Sequence, residues 1–570
     1  MWFNPHVPDD PVSDADDGDD RARPARSIRW ILAVGVAALV ALAVAVVAIV
    51  SGASSSSTGG ADAAPAFVDD TAAAGIDHAY TGGIEYFVGG GVAAFDCDGN
   101  GLADLFLAGG TDPAALYRNE SPIGGALRFA NVASPITDLT QVTGAYPIDI
   151  DSDGLMDLAV LRRGANVLLR GLGDCGFEDA TAALGLDGGD SWTAAFSATW
   201  EGSNRLPTLA FGNYLVPDTQ TCDDSELVRP APTGDQYAPP EDLSPGYCTL
   251  SILFSDWGRS GQRDLRMSND RHYYTDGEEQ LWKIAPDEAP RPYTEADGWK
   301  PMQIWGMGIA SQDVTGDGYP EVFLTSQADN KLQTLENGPE QPAYKDMALE
   351  AGVTAQQPYA GGDVLPSTAW HPEFEDVNND GFVDLFVSKG NVEAQVDYAT
   401  RDPNNLLIGQ SDGTFAEGAE AAGIVSYERS RGASLVDLNL DGMLDLVVVN
   451  RESNPTLWRN VGRGDAEHAE PMGHWIAIDL EQPAPNVDAI GAWIEVRTGD
   501  HTMAREVTIG GGHAGGKNGW IHAGLGDATS ADIRVQWPDG ETGPWMTVDG
   551  DQFVTIDRDS NEATPWTPQE

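Results

Sequence analysis

The chain has 570 residues with 32 Lys and Arg against 89 Asp and Glu, a formal net charge of −57. That balance excludes nucleic-acid binding through a basic surface, since phosphate must be neutralised by positive charge. Gly (66) and Pro (35) together stay below the level of a low-complexity chain, so a folded, loop-rich protein is expected.

Residues 1–29 contain seven Asp and four Arg with little apolar content and read as a disordered cytoplasmic tail. Residues 30–50, WILAVGVAALVALAVAVVAIV, carry no charge and no Pro and match the ~20 residues that cross a bilayer as a helix. Arg21, Arg23, Arg26 and Arg29 precede this segment, which orients the N-terminus toward the cytoplasm and the bulk of the chain outside it. The expected location is therefore the cell membrane, single-pass. A signal peptide cut near Ser51-Gly52-Ala53, giving a secreted chain, is the alternative reading. Residues 51–65 form a small, polar, flexible linker.

Cys97, Cys175, Cys222 and Cys248 then lie where disulfides persist. Of three possible pairings, Cys222 with Cys248 would close a Pro-rich stretch and leave Cys97 with Cys175; free buried thiols are the alternative.

Acidic clusters recur along the chain, as FDCDGNGLADLFL, IDIDSDGLMDLAV, QDVTGDGYPEVFL, EDVNNDGFVDLFV and VDLNLDGMLDLVV. Counted from the first Asp, positions 1, 3 and 5 bear oxygen, Gly stands at position 6 and Asp or Glu at position 9. Degenerate copies start at Trp200 and Asp256, so the starts 96, 149, 200, 256, 313, 376 and 437 are spaced by 51 to 63 residues. Seven units of this length form one array. An EF-hand is excluded because position 12 is Leu107, Val160, Leu324, Val387 and Val448 where a Glu would be required. Apolar runs before and after each loop read as buried strands, so each loop is a hairpin connection. Seven such units arranged radially predict a seven-bladed β-propeller over 66–462, all-β, with an insertion at 213–300. That insertion, with its Cys pair and Arg271-His272-Tyr273-Tyr274, is the leading candidate for a recognition surface.

These motifs resemble the FG-GAP or VCBS repeats of integrin α-type propellers. The resemblance, with the oxygen-rich spacing, implies about five structural Ca2+ ions. Copy by copy, the ligands implied are Asp96, Asp98, Asn100 and Asp104; Asp149, Asp151, Asp153 and Asp157; Asp313, Thr315, Asp317 and Glu321; Asp376, Asn378, Asp380 and Asp384; and Asp437, Asn439, Asp441 and Asp445. Thr315 and Glu321 depart from the commonest pattern, so that site is expected to be the weaker one. Turn capping by Asp and Asn side chains alone is the competing explanation.

From about His474 short alternating strands bounded by Gly and Pro predict a small separate β-domain over 470–558, followed by a tail at 559–570. Asn486-Val487-Asp488-Ala489-Ile490-Gly491, His522-Ala523-Gly524-Leu525-Gly526 and Trp537-Pro538-Asp539-Gly540 resemble the ASPIC and UnbV domain, which follows FG-GAP repeats in the cartilage acidic protein family. The GGGHAGGKNGW stretch departs from the pattern of that domain.

Nine His form no metal pair or triad signature, and His371, His513 and His522 read as structural. No catalytic residue is assigned, and an enzyme is not expected. The expected function is membrane-anchored binding or adhesion to an extracellular or envelope protein or glycan, without nucleic acid. A carbohydrate-acting enzyme using the propeller face, and a purely structural scaffold, are the alternatives.

Overall fold

In the computed structural model, residues 63–270 and 276–568 are described. The N-terminal tail 1–29, the segment 30–50, most of the linker 51–65 and the residues Arg271 to Tyr274 lie outside them. No helix of the described residues is long and apolar enough to cross a membrane.

The fold is all-β and propeller-like. Seven antiparallel sheets follow one another in chain order. Their first strands are Val92–Phe95, Val142–Ile148, Thr193–Thr199, Thr249–Ser255, Gly306–Gln312, Ala369–Glu375 and Ser430–Val436. Each first strand neighbours the next, and Ser430–Val436 returns to Val92–Phe95, closing a ring. Buffering between rungs comes from hydrogen bonds such as Gly90 N–H to Thr143 O (2.8 Å), Thr143 Oγ1–H to Thr193 O (2.6 Å) and Gly432 N–H to Gly90 O (3.0 Å). The seventh sheet takes its fourth strand, Ala66–Asp69, from the start of the described chain. This closure ties the two ends of the array together, and Arg459 Nε clamps Asp70 Oδ2 at 2.8 Å beside it.

First and second strands are buried on both faces, which accounts for their continuous apolar runs; Asp445–Asn450, reading DLVVVN, is buried at every residue. Apolar clusters fill the spaces between adjacent sheets, as where Phe323, Leu332 and Ala310 meet Phe374, Leu385 and Leu407. Such burial contributes about 1.5–3 kcal/mol for each large apolar side chain.

The stretch 213–300, expected to hold an insertion, carries the outer two strands of the third sheet and all four strands of the fourth. Ser225–Val228 and Glu241–Leu243 complete the third sheet, and Thr249–Ser255, Asp264–Asn269, Gln280–Lys283 and Arg291–Pro292 make the fourth. The loops of these two sheets start at Trp200 and Asp256 and lack the intact acidic pattern. Both expected disulfides are formed, Cys97–Cys175 across the first two sheets and Cys222–Cys248 across the third and fourth.

After the seventh sheet the chain builds two further four-stranded sheets around a shared core of Ile476, Ile478, Ile494, Val496, Ile533, Val535 and Val554. Residues 559–570, expected as a tail, contribute the strand Glu562–Trp566 to one of them. The Gly-rich run of this C-terminal module enters the centre of the ring. Ile509 pairs with Ala198, Gly510 with Leu253, Gly512 with Ile309 and Gly515 with Ala145, while Gly516–Lys517 runs parallel to Ala93–Ala94. A Cβ on Gly91 or Gly144 would lie 1.8 or 1.9 Å from Ala514 O, so the plug seats only against glycine there.

Candidate metal loops and the docking face

In each of the five acidic loops the same local bonding sets the turn. The position 1 carboxylate accepts the N–H of the position 6 glycine: Gly101 to Asp96 (2.6 Å), Gly154 to Asp149 (2.8 Å), Gly318 to Asp313 (3.0 Å), Gly381 to Asp376 (2.8 Å) and Gly442 to Asp437 (2.8 Å). These glycines have φ between 81° and 90° apart from no exception, a left-handed conformation that L side chains rarely adopt. The position 5 side chain accepts the N–H two residues on, as from Leu102 to Asn100 (2.7 Å) and Met443 to Asp441 (3.1 Å). The position 9 carboxylate opens the second strand and faces back, accepting the position 2 N–H from Cys97, Ile150, Val314, Val377 and Leu438 at 2.8–3.0 Å.

Turn capping is therefore present, but it leaves most of the negative charge of the loops uncompensated. Burial pushes Asp104 and Asp157 up to about 8, Asp313 to about 7 and Asp149 to about 6. Burial, with the neighbouring loop carboxylates adding to it, also raises Asp376, Asp384, Asp437 and Asp445. Asp151 Oδ1, Asn439 Oδ1 and Asp441 Oδ2 are buried oxygens without a hydrogen-bond partner. In the first two loops Asp96, Asp98 and Asp104, and Asp149, Asp151 and Asp153, bring oxygens within 4.8 Å of one another. Oxygens sharing one Ca2+ at 2.3–2.6 Å lie at most about 5 Å apart, so this donor set fits a hard divalent cation. The loops that start at Asp313, Asp376 and Asp437 hold the same oxygen types, but among the described residues their acidic groups are not gathered that tightly. Thr315 there bonds to Glu321 (Oγ1–H to Oε1, 3.2 Å).

Two arginines not singled out by the spacing complete the first two loops. Arg118 Nε lies 3.3 Å from Asp98 Oδ2 and Arg170 Nε 3.0 Å from Asp151 Oδ2, each from the third strand of its own sheet. In the degenerate fourth loop protein donors surround the position 9 carboxylate instead. Trp257 Nε1–H (2.9 Å) and Tyr293 O–H (2.7 Å) both donate to Asp264 Oδ2. In the third, Glu201 pairs with Arg229 at 2.7 Å.

The loops also carry the C-terminal module. Trp566 covers Gly101 and Trp475 covers Gly442 closely enough that a Cβ would meet their rings at 2.3 and 1.8 Å. His501 Nε2 lies 3.0 Å from Gly381 O, and His522 Nε2 is 2.7 Å from Asn379 Oδ1. Asn486 N–H donates to Ser152 Oγ at 2.9 Å, and Asp256 N–H to Glu506 Oε1 at 2.8 Å. Arg505 makes two bonds to Glu375 (2.7 and 2.6 Å), and Lys517 Nζ reaches Glu373 Oε1 (2.6 Å) and Glu375 Oε1 (2.5 Å). His513 sits fully buried at the ring centre, its N–H donating to His371 Nδ1 (3.0 Å) and its ring against Trp370, while burial lowers it to about 3. His371, His501, His513 and His522 thus hold structural positions at the docking face.

The chain carries FG-GAP-like repeats, matched over 96–160 and 376–448, followed by an ASPIC and UnbV domain matched over 482–563. It is similar to Cartilage acidic protein 1 of Mus musculus, 29% identical over 159 residues, and to that of Homo sapiens, 28% identical over the same length. Each alignment covers 25% of this chain and 21% of the relative, so the match spans about a fifth of the length of these curated relatives. Among solved structures, BBS1N in complex with ARL6DN superposes with a TM-score of 0.40 at 11% identity, covering 71% of this chain and 98% of that one.

Proposed function

We propose that the seven sheets form a seven-bladed propeller that carries about five Ca2+ ions at the loops starting at Asp96, Asp149, Asp313, Asp376 and Asp437, and that the protein binds a protein or glycan partner outside the cytoplasm. The observation that carries this reading is the repeated set of oxygen donors whose buried charge is only partly compensated. In this reading calcium is structural: by neutralising the loops it fixes the hairpins and the module seated on them. The segment 30–50 tethers the chain to a membrane, and the two disulfides are compatible with a location outside the cytoplasm. Binding is favoured over catalysis because the centre of the ring is filled by Ile509 to Lys517.

Calcium-dependent retention of a defined glycan or a purified envelope protein by the full chain, on an array in calcium and in chelator, tests the reading. Retention lost in chelator supports it. A calcium-loaded, folded chain that retains nothing but releases reducing ends from a polysaccharide panel would replace it with a catalytic one.

A further inference from the structure

A cavity of about 280 Å³ lies between the module and the first and seventh loops. Asp96, Gly101 and Asp437 line it from the ring, and Asp479, Asp488 and Trp520 from the module. Leu480, Ile490, Val507 and Ile521 supply apolar wall, and exposed Gly519 lies at its edge.

Its charged groups are unequally matched. Lys517 and Arg505 face the cavity but are committed to Glu373 and Glu375. Glu506 accepts from Ser255 Oγ–H (2.7 Å) and Asp256 N–H (2.8 Å). Asp479 and Asp488 have no ion-pair partner among the described residues, and Asp488 accepts only Asn518 Nδ2–H, at 2.9 Å. Burial, and then the charge of Asp488, push Asp479 up to about 7, the field expected of two carboxylates that lack a counter-cation. Perturbed carboxylates in a cleft mark candidate functional sites.

We propose that this cavity binds a small organic cation, with an ammonium group held between Asp479 and Asp488 and the carbon body against Trp520 and the apolar wall. Ammonium groups are attracted both to carboxylates and to an indole face. A further Ca2+ fits poorly, because Ca2+ takes six to eight oxygens and, with Asp96 and Asp437 belonging to their own loops, Asp479, Asp488 and one amide offer fewer. The site is independent of any partner bound elsewhere on the surface, so its failure would leave the calcium and partner readings standing.

The test is calorimetric titration of the full chain in saturating calcium, which engages Asp96 and Asp437, with glucosamine, cadaverine and glucose as probes. An amine is expected to bind at one site, with glucose at least tenfold weaker than glucosamine. Asp479→Asn and Asp488→Asn should each weaken amine binding tenfold or more while leaving the melting temperature unchanged or raised; two variants guard against one that misfolds. No heat with either amine, equal binding of glucose and glucosamine, wild-type affinity in both variants, or displacement of the amine by further calcium would overturn the proposal.

Discussion

Asp437→Ala separates the two roles that a position 1 carboxylate plays. Its side chain accepts two backbone N–H groups, from Asp441 (3.1 Å) and Gly442 (2.8 Å), and both lose their partner in the variant. At about 1 kcal/mol for each bond, roughly 2 kcal/mol of folding stability is lost whatever the metal. On the proposed reading the loop also loses its Ca2+, and a ligand at a hundredfold excess over its dissociation constant contributes about 2.7 kcal/mol. The expected loss is therefore about 5 kcal/mol in calcium and about 2 kcal/mol or less in chelator, where removing one of several crowded carboxylates also relieves repulsion. Urea unfolding of the full chain, wild type and variant, in calcium and in chelator, reads the difference. Equal losses under the two conditions would refute the reasoning and reduce the carboxylate to a turn cap.

In chelator, stability should fall as pH rises from about 4 toward 8. Asp104 and Asp157 are raised to about 8 when folded, so between their ordinary value and 8 the folded chain binds more protons than the unfolded one. In calcium that slope should flatten or reverse, because the metal holds the carboxylates ionised; thermal melts at pH 5 and 8 check both signs. Lys517→Met takes the lysine partner from Glu373 and leaves Glu375 to Arg505 alone; breaking a fully buried ion pair costs about 3–5 kcal/mol, the upper bound for this half-buried lysine, so amide exchange of Ile509 to Gly516 should speed up. Gly91→Ala places a Cβ against Ala514 O and should cost about 1–3 kcal/mol as an overpacked contact, with the same faster exchange in the plug. Paired Cys97→Ser and Cys175→Ser open a loop of 78 residues, and the chain-entropy argument gives a loss of about 4–5 kcal/mol, measured by urea unfolding against the oxidised parent.

Much of this architecture was legible because the repeat writes itself in side chains. Asp at position 1, Gly at position 6 and Asp or Glu at position 9 build the same turn in each loop, so five copies kept their spacing, and the apolar runs beside them became paired strands as expected. The fourth sheet was half visible, since Asp256, Gly261 and Asp264 survive while Trp257 and Tyr293 take over the donors around Asp264. The third was fainter: with Trp200 at position 1, only its strand pattern remained.

The plug was invisible for the opposite reason. Gly510, Gly511, Gly512, Gly515 and Gly516 have no side chains with which to declare a period, and their role depends on backbone approach to strands hundreds of residues away. Contacts such as Arg505 with Glu375, or Trp566 over Gly101, likewise join residues that no local motif connects. The module looked separate because its strands are local, whereas its attachment to the ring is not.

Metal analysis of the full chain bears most directly on the calcium loops. After equilibration in calcium and removal of the unbound ion, mass spectrometry should find about five Ca2+ per chain, as five oxygen-donor loops imply. A chain that is folded yet retains no calcium would contradict the assignment, leaving the loop carboxylates as protonated turn caps.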